Sequence, residues 1–255
     1  MTGPYENPID LATYLIVIVP MLLAYAAHRR GVRRFLLWGL AAGLVALLGQ
    51  TEAKSAWLGL AVGVLLVAVW HRQTRRFGLL IIAATLLVGG ICLSREARWG
   101  KVVSLSDIGK VDRWVMWQAA ARMIHDRPVL GHGVNTFMAN YLRYWVGGER
   151  QPRYAHNCYL QMAAETGVIG LAAFLWLLGL VVAVLGRGLQ AAGDGAKAAL
   201  LPDRRMLLAG CLIGLIAFLV QAAFDTNFYA MRQVALFWLV AGLAIGVGWQ
   251  APGHS

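Results

Sequence analysis

Acidic side chains are scarce in this chain, with twelve Asp and Glu against twenty-three Lys and Arg, and charged residues of both signs make up only 14% of its 255 residues. So small a charged fraction, beside 59% hydrophobic residues and a mean hydropathy of +0.62, excludes an ordinary soluble domain and predicts an integral membrane protein. Cysteine is scarcer still. Cys92, Cys158 and Cys211 are too few and too scattered for a disulfide framework and read as free thiols. No strand-like alternation persists and no fixed-period repeat is present, which leaves helices as the expected elements. Residues 1–10 contain no Lys or Arg, so the apolar run that follows lacks the basic leader of a signal peptide. The net charge of +11 could point to nucleic acid, but no nucleic-acid motif is present. Basic residues that interrupt apolar runs instead mark cytoplasmic loops or sites for anionic lipid and phosphate.

What the chain has in abundance is apolar runs. They predict an all-α polytopic membrane helix bundle of about seven transmembrane helices, over 11–27, 35–49, 56–70, 77–93, about 167–185, 206–224 and 234–249. Three connections are basic, carrying Arg29, Arg30, Arg33 and Arg34; Arg72, Arg75 and Arg76; and Arg187, Lys197, Arg204 and Arg205. With seven spans these loops share one side, and their charge makes it cytoplasmic. The amino terminus is then outside and the carboxy terminus inside. The one long polar segment, 94–157, faces outward, since long loops translocate largely regardless of charge.

Chemistry, if there is any, belongs in that outer segment. Val111 to His125 has helical spacing with Trp114, Trp117, Ala121 and Ile124 on one face, and Val134 to Val146 puts Phe137, Tyr141, Tyr144 and Trp145 on another. Both aromatic stripes read as anchors at the membrane interface. The segment's ten Lys and Arg outnumber its five acids, and most are Arg, whose planar fork suits a lipid phosphate or diphosphate. A solvated basic surface touching headgroups is the blander alternative. His156, beside Asn157 with Gln161 one helical turn beyond Asn157, could serve as a general base, although a loop His next to Asn is more often a neighbour of a helix cap. His125 and His132 have no partner at metal-ligand spacing, and no metal site is expected. Glu52 and Lys54 interrupt apolar sequence at the outer end of the second span, where Lys54 is either a snorkelling anchor or a phosphate-binding ammonium. Asp225, at the outer end of the sixth span, reads as structural.

Several of these pieces together resemble one family. Thr51-Glu52-Ala53-Lys54-Ser55-Ala56-Trp57-Leu58, Arg113 with Trp117, Asp126-Arg127-Pro128-Val129-Leu130-Gly131-His132-Gly133, and Ala155-His156-Asn157-Cys158-Tyr159-Leu160 followed by Glu165-Thr166-Gly167-Val168-Ile169-Gly170 are similar, in order and placement, to elements of the O-antigen ligase and polymerase membrane proteins. The resemblance runs over nearly the whole chain, 1–255, as one membrane domain with 94–157 as its outer segment. It implies transfer of a glycan from an undecaprenyl-diphosphate-type lipid carrier to an acceptor hydroxyl on the periplasmic face of the bacterial inner membrane, without metal, cofactor or nucleotide sugar. The acceptor would be a glycan, a lipid A core or a protein. Carried over by position, His156 would be the base, and Lys54, Arg113 and Asn157 would bind substrate. Lys54 stands where the family usually has Arg, which keeps the charge and loses the bidentate fork. Family members are usually longer, so an amino-terminal half is expected to be missing here.

Other functions stay open at this point. A polymerase of O-antigen or exopolysaccharide would leave the same residues. A transporter of the same lipid would need ionisable residues deep in its spans, and these spans have almost none. An inactive remnant is the third alternative.

Overall fold

The computed structural model describes residues 8–27, 29–51, 53–70, 106–147, 151, 153–191 and 202–248. The elements in chain order are α1 (Pro8–Ala26), α2 (Val32–Gly49), α3 (Lys54–Trp70), α4 (Ser106–Asp126), α5 (Phe137–Tyr141), α6 (Cys158–Ala191), α7 (Pro202–Ala222), a 3-10 turn (Asn227–Tyr229) and α8 (Met231–Gly248). The described residues are therefore all-α. Six of the predicted spans fall on α1, α2, α3, α6, α7 and α8; the predicted span 77–93, Glu52 and the basic loop 71–76 lie outside the described residues. Among the described residues, five helices are long and apolar enough to cross a membrane, and α3 contributes a shorter apolar stretch, Lys54–Leu66.

The chain divides into two compact units. The first contains α1, α2, α3, the later part of α6, α7 up to Gln221, and α8. Its interior is built by α7 and α1, with 67% and 56% of their spans buried, whereas α2 is peripheral at 11%. The close contacts of α1 rest on small residues one turn apart, as membrane helices without a hydrophobic drive between them require. A Cβ at Gly214 would lie 2.6 Å from the Val17 carbonyl oxygen, and one at Gly210 would lie 2.7 Å from Met21 Cα. On α3, a Cβ at Gly63 would sit 3.1 Å from the Pro20 ring. Polar groups at the start of α1 are satisfied by α8: Gln233 donates to Asp10 at 2.6 Å, and the Tyr14 hydroxyl donates to the Arg232 carbonyl at 3.2 Å.

The second unit contains α4, α5, the first part of α6 and residues 222–229. In α6 the structure refines the expected fifth span. The helix begins at Cys158, but Gly167 interrupts it with φ 66° and ψ −170°. An unbroken helix of 34 residues would run about 51 Å, well beyond the roughly 30 Å of hydrocarbon. The break leaves 168–191, about 36 Å of helix, as the crossing segment, and 158–166 as a separate platform.

Candidate active site

The second unit is assembled around one face of α4. Met116, Ala119, Ala120 and Met123, spaced i, i+3, i+4 and i+7, are buried against Phe137, Tyr141, Ala155 and Ala164. This corrects the second aromatic stripe expected from the sequence: the regular helix after Gly133 is only Phe137–Tyr141, and both of those residues are buried, whereas Trp114 and Ala121 of the first stripe are exposed. Phe137 and Tyr141 fill the interior rather than lying among headgroups, because small Ala residues on α4 leave room for rings.

Two glycine-containing motifs interlock. Gly131 and Gly167 have φ of 67° and 66°, and a Cβ on either would come within 2.2–2.6 Å of the other segment's backbone. Their approach lets the Val168 N–H, freed by the break in α6, reach the Pro128 carbonyl at 2.8 Å, while His132 and Gly133 donate to the Ala164 and Glu165 carbonyls. Glu165 completes the joint. Its buried carboxylate accepts from the Asn135 and Phe137 backbone N–H groups at 2.9 and 3.1 Å, from Gln161 at 3.2 Å and from the Tyr229 hydroxyl at 3.0 Å. Four donors allow a buried carboxylate to remain in place. Burial, and then the neighbouring Glu165 carboxylate, push the Tyr229 phenol far above its ordinary range, so it stays protonated as a donor.

His156 is held at the start of this platform. The residue before it is fixed from two sides: the Trp117 indole N–H donates to the Ala155 carbonyl at 3.0 Å, and the Ala155 N–H donates to Gln161 Oε1 at 3.2 Å. The residue after it caps α6, with Asn157 Oδ1 accepting the N–H groups of Tyr159 and Leu160, both at 3.0 Å. Between these anchors His156 adopts φ 47°, a left-handed conformation that costs a non-glycine residue roughly 1–3 kcal/mol. The conformation turns Nδ1 toward Asp225 Oδ1, 3.6 Å away, with the imidazole about one third exposed and the carboxylate 7% exposed. Asp225 is itself positioned: Oδ1 accepts the Thr226 N–H at 2.9 Å, and its carbonyl accepts the Cys158 thiol at 3.1 Å. At 3.6 Å the two groups face each other without a hydrogen bond, and a small approach of Nδ1 to the carboxylate would leave Nε2 as the proton acceptor.

The structure thus brings His156, Asn157 and Arg113 into one unit. Arg113 is half-buried one turn before Trp117 on the same face of α4, and it is Trp117 that reaches the segment carrying His156. Lys54 belongs to the other unit, where it is the exposed first residue of α3. A cation at a helix amino terminus opposes the macrodipole, and α3 has no acidic residue in its first turn to compensate. Asn157 uses its side-chain oxygen as a cap, and the amide nitrogen takes no part in it. Asp225 is the residue that sequence reasoning set aside as structural; an acid at the outer end of a span was the available signal.

His132 does not sit in a free turn. Its side chain is 3% exposed, its Nε2 lies 3.1 Å from the Met123 carbonyl, and its ring meets Tyr144 edge-on at 5.2 Å. Tyr144 also donates to Asp126, and that hydrogen bond holds the Asp126 carboxyl below its ordinary range and the Tyr144 phenol above its own.

The family model described as O-antigen ligase matches residues 40–175, more than half of the chain, and includes α4, α5 and the platform of α6. The chain belongs to the O-antigen ligase family. The match takes in Lys54, Arg113, His156, Asn157 and Glu165, while Asp225 falls beyond it. A Rickettsia felis (strain ATCC VR-1525 / URRWXCal2) protein named "Putative polysaccharide ligase" is 24% identical over 188 residues, covering 67% of this chain and 43% of that protein. The chain thus matches less than half the length of that relative. Within the O-antigen ligase family, this chain is a membrane protein whose motifs include one joint of the fold, Gly131 with Gly167 and Glu165, and one reactive candidate, His156.

Proposed function

We propose that this protein transfers a glycan from an undecaprenyl-diphosphate-type lipid carrier to an acceptor hydroxyl, on the periplasmic face of the bacterial inner membrane. The observation that carries the reading is the His156–Asp225 pair, with a strained, partly exposed imidazole aimed by a buried carboxylate. In the reaction the acceptor oxygen attacks the anomeric carbon of the glycan, and the bond from that carbon to the diphosphate oxygen breaks. The acceptor proton passes to His156 Nε2, and from there to the departing diphosphate or to water. Asp225 orients the ring and stabilises the imidazolium. The diphosphate leaves with the bonding electrons, and fixed cations are most effective where that charge develops. Arg113 and Lys54 take this role. At Lys54 the helix amino terminus adds its own attraction for an anion, which accounts for a cation placed against the dipole. Asn157 orients the acceptor through its amide nitrogen.

The test is donor binding and product formation in vesicles that contain a defined undecaprenyl-diphosphate-linked glycan and an acceptor sugar. The parent should release undecaprenyl diphosphate and form acceptor-linked glycan in equal amounts. Lys54→Ala and Lys54→Glu should weaken donor binding, and Lys54→Arg should keep or improve it because the fork returns. Donor binding that is the same in Lys54→Glu as in the parent removes Lys54 from the site.

A further inference from the structure

The loop between α4 and α5 and the first turn of the crossing half of α6 expose a group of large aliphatic side chains, all within the second unit. Val129, Leu130 and Val134 are 53%, 75% and 76% exposed, and Val168 and Ile169 are 58% and 57% exposed. Single exposed aliphatics are ordinary on any protein, whereas a contiguous group marks a surface that meets something apolar. Contiguity follows here from the backbone. The Pro128 carbonyl accepts the Val168 N–H at 2.8 Å, and a Cβ on Gly167 would lie 2.2 Å from the Val129 oxygen and 2.6 Å from the Leu130 nitrogen.

The depth of the group follows from α6. From Val168 the helix runs through uncharged, largely aliphatic residues to Gly186 and meets its first charge at Arg187. At about 1.5 Å per residue that stretch is about 28 Å long, close to the roughly 30 Å of hydrocarbon in a bilayer. Val168 therefore stands at one edge of the hydrocarbon, and its hydrogen bond to Pro128 brings the loop to the same level. The exposed apolar surface continues into the span, where Trp176, two turns on, is 68% exposed.

A loop at that level has to keep its polar backbone out of lipid. Pro128 has no N–H, Gly131 donates back to the Arg127 carbonyl, His132 and Gly133 donate into the platform, and Asn135 and Phe137 donate to the Glu165 carboxylate. Backbone donors are thus turned into the protein while the aliphatic side chains stay outside. Water at this surface would require neither arrangement.

We infer that the 128–134 loop is a membrane wedge, with the Val129, Leu130 and Val134 side chains among the acyl chains of the leaflet at the Val168 end of α6. The inference rests on α6 crossing the bilayer and not on the transfer reading. In the topology expected from the basic loops the leaflet is the periplasmic one, and the wedge seats the platform under His156 on the lipid surface.

Spin labels on Leu130→Cys and Val134→Cys, with the chain's own accessible thiols replaced, test this in vesicles of phosphatidylethanolamine and phosphatidylglycerol. The control is Gln118→Cys, a polar, exposed position on α4 well before the loop. Power saturation is measured with oxygen, which concentrates in hydrocarbon, and with a nickel chelate, which stays in water. The ratio of oxygen to nickel accessibility should be several-fold higher at Leu130 and Val134 than at Gln118. A ratio at Leu130 equal to that at Gln118 would put the loop in water and overturn the proposal. A label shielded from both reagents would mean that protein, a second copy or another partner, covers the loop, and it would overturn the proposal equally. Benzoylphenylalanine in place of Leu130 gives a second reading should the spin-labelled variants not fold. On irradiation it should crosslink to phospholipid, and crosslinks to polypeptide instead would contradict the wedge.

Discussion

His156 and Asp225 are distant in sequence, and their meeting is the residue-scale event on which the proposed chemistry depends. Asp225→Asn preserves shape and exchanges an acceptor oxygen for a donor, so it removes the carboxylate that faces Nδ1 at 3.6 Å and on which the proposed mechanism relies. Turnover should fall, by up to about 10⁴-fold if the wrong tautomer is imposed, with donor affinity unchanged. Steady-state kinetics at saturating donor would check this, and an unaltered kcat would contradict it. His125 is exposed on α4 and provides the neutral control, whereas the buried position of His132 makes His132→Ala a packing defect. A pH effect is expected from Asp126, whose carboxyl is depressed by the Tyr144 hydrogen bond. The unfolded chain then binds a proton at higher pH than the folded one, so the contribution is present above the ordinary carboxylate pKa and lost as pH falls through the lower folded value. Tyr144→Phe should bring the Asp126 carboxyl resonance back toward the ordinary range in an NMR titration. Identical titrations in parent and variant would remove Tyr144 as the cause.

At the scale of elements, the joint between the 128–137 loop and the kink of α6 decides whether the platform under His156 exists. Gly131→Ala or Gly167→Ala places a Cβ into backbone within 2.6 Å and into a left-handed conformation. Either should cost more than about 1–3 kcal/mol, read as a fall in melting temperature in detergent. Gly179→Ala, where a Cβ meets nothing within 4 Å, should leave the melting temperature unchanged. Glu165→Gln turns one acceptor oxygen into a donor facing other donors, at about 1–3 kcal/mol. A melting temperature equal to the parent's in that variant would show that the four hydrogen bonds to Glu165 do not hold the joint. These elements were partly legible in advance. Pro128 and the glycines mark a turn, and Glu165 and Gly167 follow at motif spacing, but nothing in a linear pattern says that the two motifs close on each other. The same holds for α4, where periodicity identified a helix and its aromatic stripe as an interfacial face but left its buried face unassigned. Small Ala residues gave the face, since they admit Phe137 and Tyr141.

For the whole molecule, hydropathy was the most legible signal, because six of the expected spans fall on helices. The break in α6 was not legible as a break, although the span was expected to begin near Gly167, since one glycine inside an apolar run reads equally well as a packing contact. Asp225 was unreadable as a partner of His156 because only the folded chain brings residue 225 to the start of α6. The orientation remains a prediction from charge. With the chain's own accessible thiols replaced, a cysteine at Gln151 should react with an impermeant maleimide from outside in intact cells, and one at Arg30 only after permeabilisation. The reverse pattern would put the candidate site on the wrong side for a periplasmic acceptor. The central claim, that His156 removes the acceptor proton in glycan transfer, is tested most directly by comparing parent and His156→Ala in vesicles with defined lipid-linked donor and acceptor, with donor binding measured on the same samples. The account predicts turnover lower by roughly 10²–10⁴-fold with donor binding retained. Equal turnover in the two proteins, or a loss of turnover matched by an equal loss of donor binding, would contradict it.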